Sequence, residues 1–209
     1  MHNQFSKLIS SLLLIISAST QAALFDRGNG FIYDDMLNIT WLQDANYAST
    51  SDYDDDGKMT KAAAQTWVNS LSFGDASEWR LPSARQATAG FNQTSSELAN
   101  LFYDSLGNSS NSGQFLNSFQ DNYSNTNQSF LNTNLGLYWL EEDYNLAGTK
   151  SWVMWSSGYT GNQNVETKGY AWAVHDGDIA DDLDAAAVPV PASAFLFSSA
   201  LMILLIRRR

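Results

Sequence analysis

All 22 acidic residues of this 209-residue chain lie between two apolar ends, and that segregation limits which part can fold as one water-soluble unit. The first end carries Lys7, the apolar run Leu8 to Ile16, and small residues down to Thr20-Gln21-Ala22-Ala23. A positive start, an apolar stretch and an alanine-rich cleavage zone read as a secretory signal peptide over 1–23, removed by signal peptidase after Ala22 or Ala23. The other end carries Pro189 and Pro191, the uncharged run Ala192 to Ile206, and then Arg207, Arg208 and Arg209. At about 1.5 Å rise per residue that run makes roughly 23 Å of helix, somewhat less than a ~30 Å hydrocarbon core. Three arginines do not cross cheaply and stay cytoplasmic. We therefore expect a C-terminal transmembrane segment. It either tethers an exported domain to the inner membrane or holds it until it is cut free.

Between the ends remain about 165 residues, enough for one domain with a sizeable core. Seven basic residues face 22 acidic ones there, a net charge of about −15. Such a domain repels nucleic acid, anionic lipid and sulfated glycans unless a cation intervenes. The chain has no cysteine, which excludes a thiol enzyme and a cysteine-ligated zinc site and leaves packing, metal or partners to hold an exported fold. His2 lies in the signal peptide, so a lone His175 excludes a multi-histidine metal site within one chain. No G-x-S-x-G elbow is present.

Short alternating patches predict strands at Leu24–Asp26, Phe31–Tyr33 and Ile39–Leu42, followed by an acidic loop from Asn46 to Gly57. Thr60 is placed to cap a helix reaching Leu71, with Ala63, Trp67, Val68 and Leu71 on one face. Glu78–Leu81 reads as a short strand stopped by Pro82. Thr94-x-x-Glu97 is a capping box ahead of Leu98, Leu101, Phe102 and Leu106, and Gly107 ends that second helix. An Asn- and Ser-rich stretch from Asn108 to Asn134 reads as a long loop. Strands are expected again at Leu137–Leu140, Trp152–Trp155 and Tyr170–Val174. An acidic, alanine-rich linker follows at 179–187. The expected fold class is α+β, with a short twisted antiparallel sheet and two main helices.

Asp52, Asp54 and Asp56 with Gly57 match positions 1, 3, 5 and 6 of a calcium loop. The Lys58 carbonyl and Thr60 fit positions 7 and 9, but Ala63 stands where the bidentate Glu belongs, so Asp44 or Glu141 would have to complete the shell. The same residues also read as a solvated acidic turn before a helix, and the residue pattern leaves both readings open. The seven tryptophans read mainly as core. Trp155 and Tyr159, beside Ser156-Ser157-Gly158, are the expected exceptions, because exposed aromatic faces stack on sugars. Arg80 reads as a buried ion-pair partner of an Asp such as Asp44. Glu141-Glu142-Asp143 reads as a solvated charge run, with an acid pair for hydrolysis or a second cation site as alternatives.

Two resemblances add to this reading. The order Val188-Pro189-Val190-Pro191, apolar helix, Arg207–Arg209 resembles the PEP-CTERM sorting signal, in its VPLPA-type variant. That resemblance implies recognition by an exosortase and delivery to the cell surface or extracellular matrix of a Gram-negative bacterium. In the body, Leu24-Phe25-Asp26-Arg27-Gly28, the run from Tyr33 through Trp41 to Tyr47, Glu78-Trp79-Arg80-Leu81-Pro82, Tyr138-Trp139 and Ala171-Trp172-Ala173-Val174 recur in the order of a known family. They resemble the bacterial family named for the C-terminal domain of Lcl collagen-like adhesins, over 24–178. The resemblance implies a C-type-lectin-like single domain acting in adhesion or glycan binding. It also places Glu141 and His175 near the binding face, at positions where this chain departs from the family pattern. A polysaccharide hydrolase using Glu141 and Glu142, and a purely structural matrix protein, are the alternatives.

Overall fold

The structure, a computed structural model, describes residues 24–109 and 130–180. The expected signal peptide, the transmembrane helix and the sorting motif with Pro189, Pro191 and Arg207–Arg209 lie outside the described residues, as does most of the linker. Among the described residues no helix is long and apolar enough to cross a membrane.

The domain is α+β and mostly sheet. Its strands are β1 (Leu24–Gly28), β2 (Phe31–Asp34), β3 (Ile39–Leu42), β4 (Lys58–Met59), β5 (Leu137–Asp143), β6 (Lys150–Trp155), β7 (Thr160–Asn164), β8 (Gly169–Tyr170) and β9 (Val174–Asp176). The helices are α1 (Tyr47–Thr50), α2 (Lys61–Ser70) and α3 (Glu97–Asn100). Instead of the single sheet expected, two form, ordered β1-β2-β3-β9 and β4-β8-β5-β6-β7. Pairing is antiparallel except between β5 and β8. The expected strand Tyr170–Val174 is broken, because its residues serve both sheets. Tyr170 pairs in the second, Val174 in the first, and the Ala171–Ala173 bridge between them is anchored by Leu42 N donating to Ala173 O at 3.0 Å and Trp172 Nε1 donating to Leu42 O at 2.7 Å.

Successive residues of the central strands alternate between two apolar clusters. Ile32, Trp41, Tyr138, Met154 and Trp172 belong to one; Phe31, Leu42, Trp139, Val153 and Ala171 belong to the other. Successive side chains on a strand point to opposite faces, so a strand covered on both sides reads as a continuous apolar run. Trp41, Trp67, Trp79, Trp139 and Trp172 are buried, whereas Trp152 and Trp155 are half-buried.

Thr60 caps α2 as expected, its side chain accepting from Ala63 N at 3.3 Å. The buried face is Lys61, Ala64, Trp67 and Val68, whereas Ala63 and Leu71 are half-buried. The second helix differs from its expectation. Ser96, not Thr94, is the N-cap, its hydroxyl accepting from Ala99 N at 3.2 Å. Glu97 sits in the first turn, and four α-helical residues pass into a π-helical turn over Leu101–Ser105. Gly107, with φ of +66°, closes it as the sequence indicated. Only α2 is a full-length helix among the described residues. At the C-terminal end the packing extends past Asp178: Ile179 is 6 % exposed and lies in the second cluster.

Candidate functional site

The chain from Trp155 to Asn164 turns back on itself through Ser156-Ser157-Gly158, with Trp155 N donating to Tyr159 O at 2.8 Å and Gly158 N to Trp155 O at 2.9 Å. This turn sets the Trp155 and Tyr159 rings 5.6 Å apart at 58°. Phe91 joins them, 5.1 Å from Tyr159 at 72° and 45 % exposed. Its loop is pinned to β7 because Gly90 and Thr160 exchange both backbone hydrogen bonds, at 2.8 and 2.9 Å. Gly161 lies beneath the rings. A Cβ there would stand 2.7 Å from Tyr159 Cε1 and 3.0 Å from Trp155 Cζ3, so only glycine lets the rings settle onto the strand. From behind, the π-helical turn supplies Tyr103, whose hydroxyl donates to Gly158 O at 2.8 Å. Gly158 has φ of +81°, and a side chain there would strike the Tyr103 hydroxyl. π-Turns often mark functional positions, and this one braces the patch.

Trp155 and Tyr159 are thus brought together as the sequence implied. Phe91 was missed, because Gly90-Phe91-Asn92-Gln93 reads as loop and carries no periodic signal. Glu141 and His175 stand elsewhere. The His175 ring meets Trp79 edge-on at 5.6 Å, and its Nδ1 lies 2.6 Å from Asp176 O. Glu141 lines a cleft of about 370 Å³ with Lys61, Gln65, Asp143 and Glu166. Burial raises the Glu141 pKa, and the charge of neighbouring Glu142 adds to the rise, while Arg80 opposes it. At the cleft floor the Lys61 ammonium, in a residue 7 % exposed, donates to Leu140 O and, at 2.7 Å, to Glu141 O. These bonds fasten α2 to the irregular stretch of β5 between Trp139 and Asp143. Burial brings the Lys61 pKa down to about 8, against the opposing pull of Asp143, Glu141 and Glu142.

The charge run at 141–143 is not a uniformly solvated face. The Glu142 carboxylate accepts from Ser83 Oγ at 2.5 Å, from Ala84 N, and from Arg85 N at 3.2 Å. It staples the turn after Pro82 to β5. Arg80 is an ion-pair residue as expected, but it is half-buried and its partners are the buried Glu97 and the exposed Asp176. Its guanidinium grips Glu97 through Nη1–Oε2 at 2.7 Å and Nη2–Oε1 at 3.0 Å, and donates to Asp176 Oδ1 from Nη2 at 2.6 Å. Asp44 instead receives Asn46 N at 2.9 Å and Asn132 Nδ2 at 2.8 Å.

The acidic loop is closed by its own amides. Asp54 Oδ1 accepts from Gly57 N at 2.8 Å and Asp56 N at 3.2 Å. Asp56 Oδ1 accepts from Lys58 N at 3.0 Å, which lowers its pKa. Lys58 lies in β4, and Thr60 Oγ1 serves the helix cap. Asp52 is exposed, with φ of +58°. Each of these amide bonds uses Oδ1, and Oδ2 of both carboxylates stays outside the amide bonding. Among the described residues no group of three or more His, Cys, Asp or Glu side chains is placed to hold a metal.

No protein-family model, curated protein or solved structure matches the chain significantly.

Proposed function

We propose that the chain is an exported binding module that engages glycans through Phe91, Tyr159 and Trp155, with an exosortase delivering it to the cell surface or extracellular matrix. The observation that carries the reading is the three-ring patch, partly open to solvent and held by Gly161 beneath and Tyr103 behind. An aromatic face is the negative side of a ring quadrupole, and the C–H groups of a pyranose present it with a matching positive surface. A C-type-lectin-like fold is part of this proposal, drawn from the motif order. So is calcium, as a stabiliser of the Asp52–Gly57 loop. The hydrolase alternative is weakened by Glu142, whose carboxylate is occupied by the 83–85 turn.

The test is a mixed glycan array probed with the labelled full-length chain, with calcium and with chelator. Wild type is expected to bind a defined subset, and Trp155→Ala to lose at least tenfold in apparent affinity. Binding unaffected by Trp155→Ala would remove the patch from the function. In the native host, Pro189→Ala with Pro191→Ala is expected to block surface sorting, followed by surface proteolysis. Normal sorting of that variant would refute the exosortase assignment.

A further inference from the structure

We infer that the patch takes a single, uncharged polysaccharide chain, rather than an acidic polymer or the flat face of a packed one. The inference rests on the glycan-binding reading above and narrows its ligand by charge and by shape.

The charge argument comes from what surrounds the rings. The two segments that build the patch, 90–93 and 155–164, read GFNQ and WSSGYTGNQN and contain no Asp, Glu, Lys or Arg. This occurs in a chain of net charge −11, whose acidic residues all lie between the two apolar ends. An acidic sugar arriving here would meet the repulsion of the whole domain and find no cation within these segments to offset it. The polar groups the segments do offer are amides and hydroxyls, which suit neutral hydroxyls as donors and acceptors. Gln163 stands two residues beyond Gly161, on the same face of β7. Gln93 is beside Phe91, its Nε2 donating to Phe91 O at 3.1 Å.

The shape argument comes from the ring planes. Rings inclined at 72° and 58° to their neighbours do not share a plane. A packed polymer presents a flat array of sugar faces and needs coplanar rings to meet several at once. Inclined rings instead follow a chain that twists from one residue to the next, which a lone polysaccharide strand in water is free to do. Gly161 beneath Tyr159 and Trp155, and the Tyr103 hydroxyl on Gly158, hold that inclination in place.

The experiment is affinity electrophoresis of the full-length chain in a sugar-free polyoxyethylene detergent. The gels contain dextran, hydroxyethylcellulose or galactomannan as neutral polymers and alginate as the anionic one, and sedimentation with microcrystalline cellulose runs in parallel. Retardation is expected in at least one neutral gel, none in alginate, and no more than weak co-sedimentation. Phe91→Ala, at an exposed loop position that leaves the fold intact, is expected to reduce retardation at least fivefold, and Trp155→Ala at least tenfold. Retardation by alginate that falls with Phe91→Ala would overturn the charge argument but keep the glycan module. Co-sedimentation with crystalline cellulose and no retardation by soluble polymers would overturn the shape argument and also keep it. No binding to any polymer, or migration set only by self-association in polymer-free gels, would overturn the module reading together with the inference.

Discussion

Replacing Glu97 by alanine is expected to destabilise the chain by about 3–5 kcal/mol, the cost of leaving a buried charge without its partner. The Glu97 side chain is 3 % exposed and receives both Arg80 guanidinium nitrogens, Ser83 N at 2.8 Å and Arg85 Nη2 at 3.4 Å. Burial disfavours the Arg80 charge, and the hydrogen bonds and charges of Glu97 and then Asp176 outweigh it. Without Glu97, Arg80 keeps the Leu81 carbonyl and, as its counter-charge, only the exposed Asp176, and the Ser83 amide loses its acceptor. The hub joins α3, the turn after Pro82 and β9, so the loss should appear as one cooperative transition. At roughly 2–4 °C per kcal/mol for a domain of this size, the melting point should fall by about 10 °C. Urea unfolding of the full-length chain checks it, with Glu97→Gln as the shape-preserving control. A loss below about 1 kcal/mol would show that Asp176 alone compensates Arg80.

The second large effect is alkaline and has a definite sign. The Lys61 pKa falls from an ordinary 10.5 to about 8 in the folded chain. Between those values the unfolded chain binds the proton and the folded chain does not, so stability rises with pH. The penalty of charging buried Lys61 is complete below about pH 8 and absent above about pH 10.5; it amounts to about 3 kcal/mol. Tyrosine ionisation works the other way above about pH 10, since burial raises the Tyr138 pKa, but it is common to wild type and variant. The stability difference between wild type and Lys61→Met should therefore grow in favour of wild type from pH 8 to 10. Lys61→Arg keeps the donors, does not titrate there, and should give the same trend. A flat difference against both variants would show that Lys61 stays protonated across the range.

Where one strong local rule applied, the sequence was readable. The β1–β3 apolar patches are set apart by Gly28, Gly30 and Asn38, and Thr60 precedes an amphipathic helix, so those elements fall where they were expected. Two caps competed at the second helix. Thr94 satisfied the capping-box spacing, but Ser96 is the residue whose hydroxyl reaches a helical amide, leaving Glu97 free to meet Arg80. β7, Thr-Gly-Asn-Gln-Asn, has no apolar alternation because rings from its neighbours lie over Gly161. Partner choice for Arg80 was equally hidden: Glu97 and Asp176 are 17 and 96 residues away, and only the assembled fold brings them together. At the patch, Trp155 and Tyr159 were legible from composition and their glycine-serine turn. Phe91 was not, because a tertiary strand bridge places it.

The Ala171–Ala173 bridge has a consequence for timing. β9 completes the first sheet, β8 joins β4 to β5, and Val174 exchanges backbone hydrogen bonds with Arg80. Almost everything this segment ties together was synthesised long before it, and such non-local closure is slow. The nascent chain thus has no complete sheet to close until residues 169–176 have emerged. For the exported chain proposed above, so late a closure would leave the domain open while it crosses the membrane, with residues 169–176 as the latch that closes both sheets.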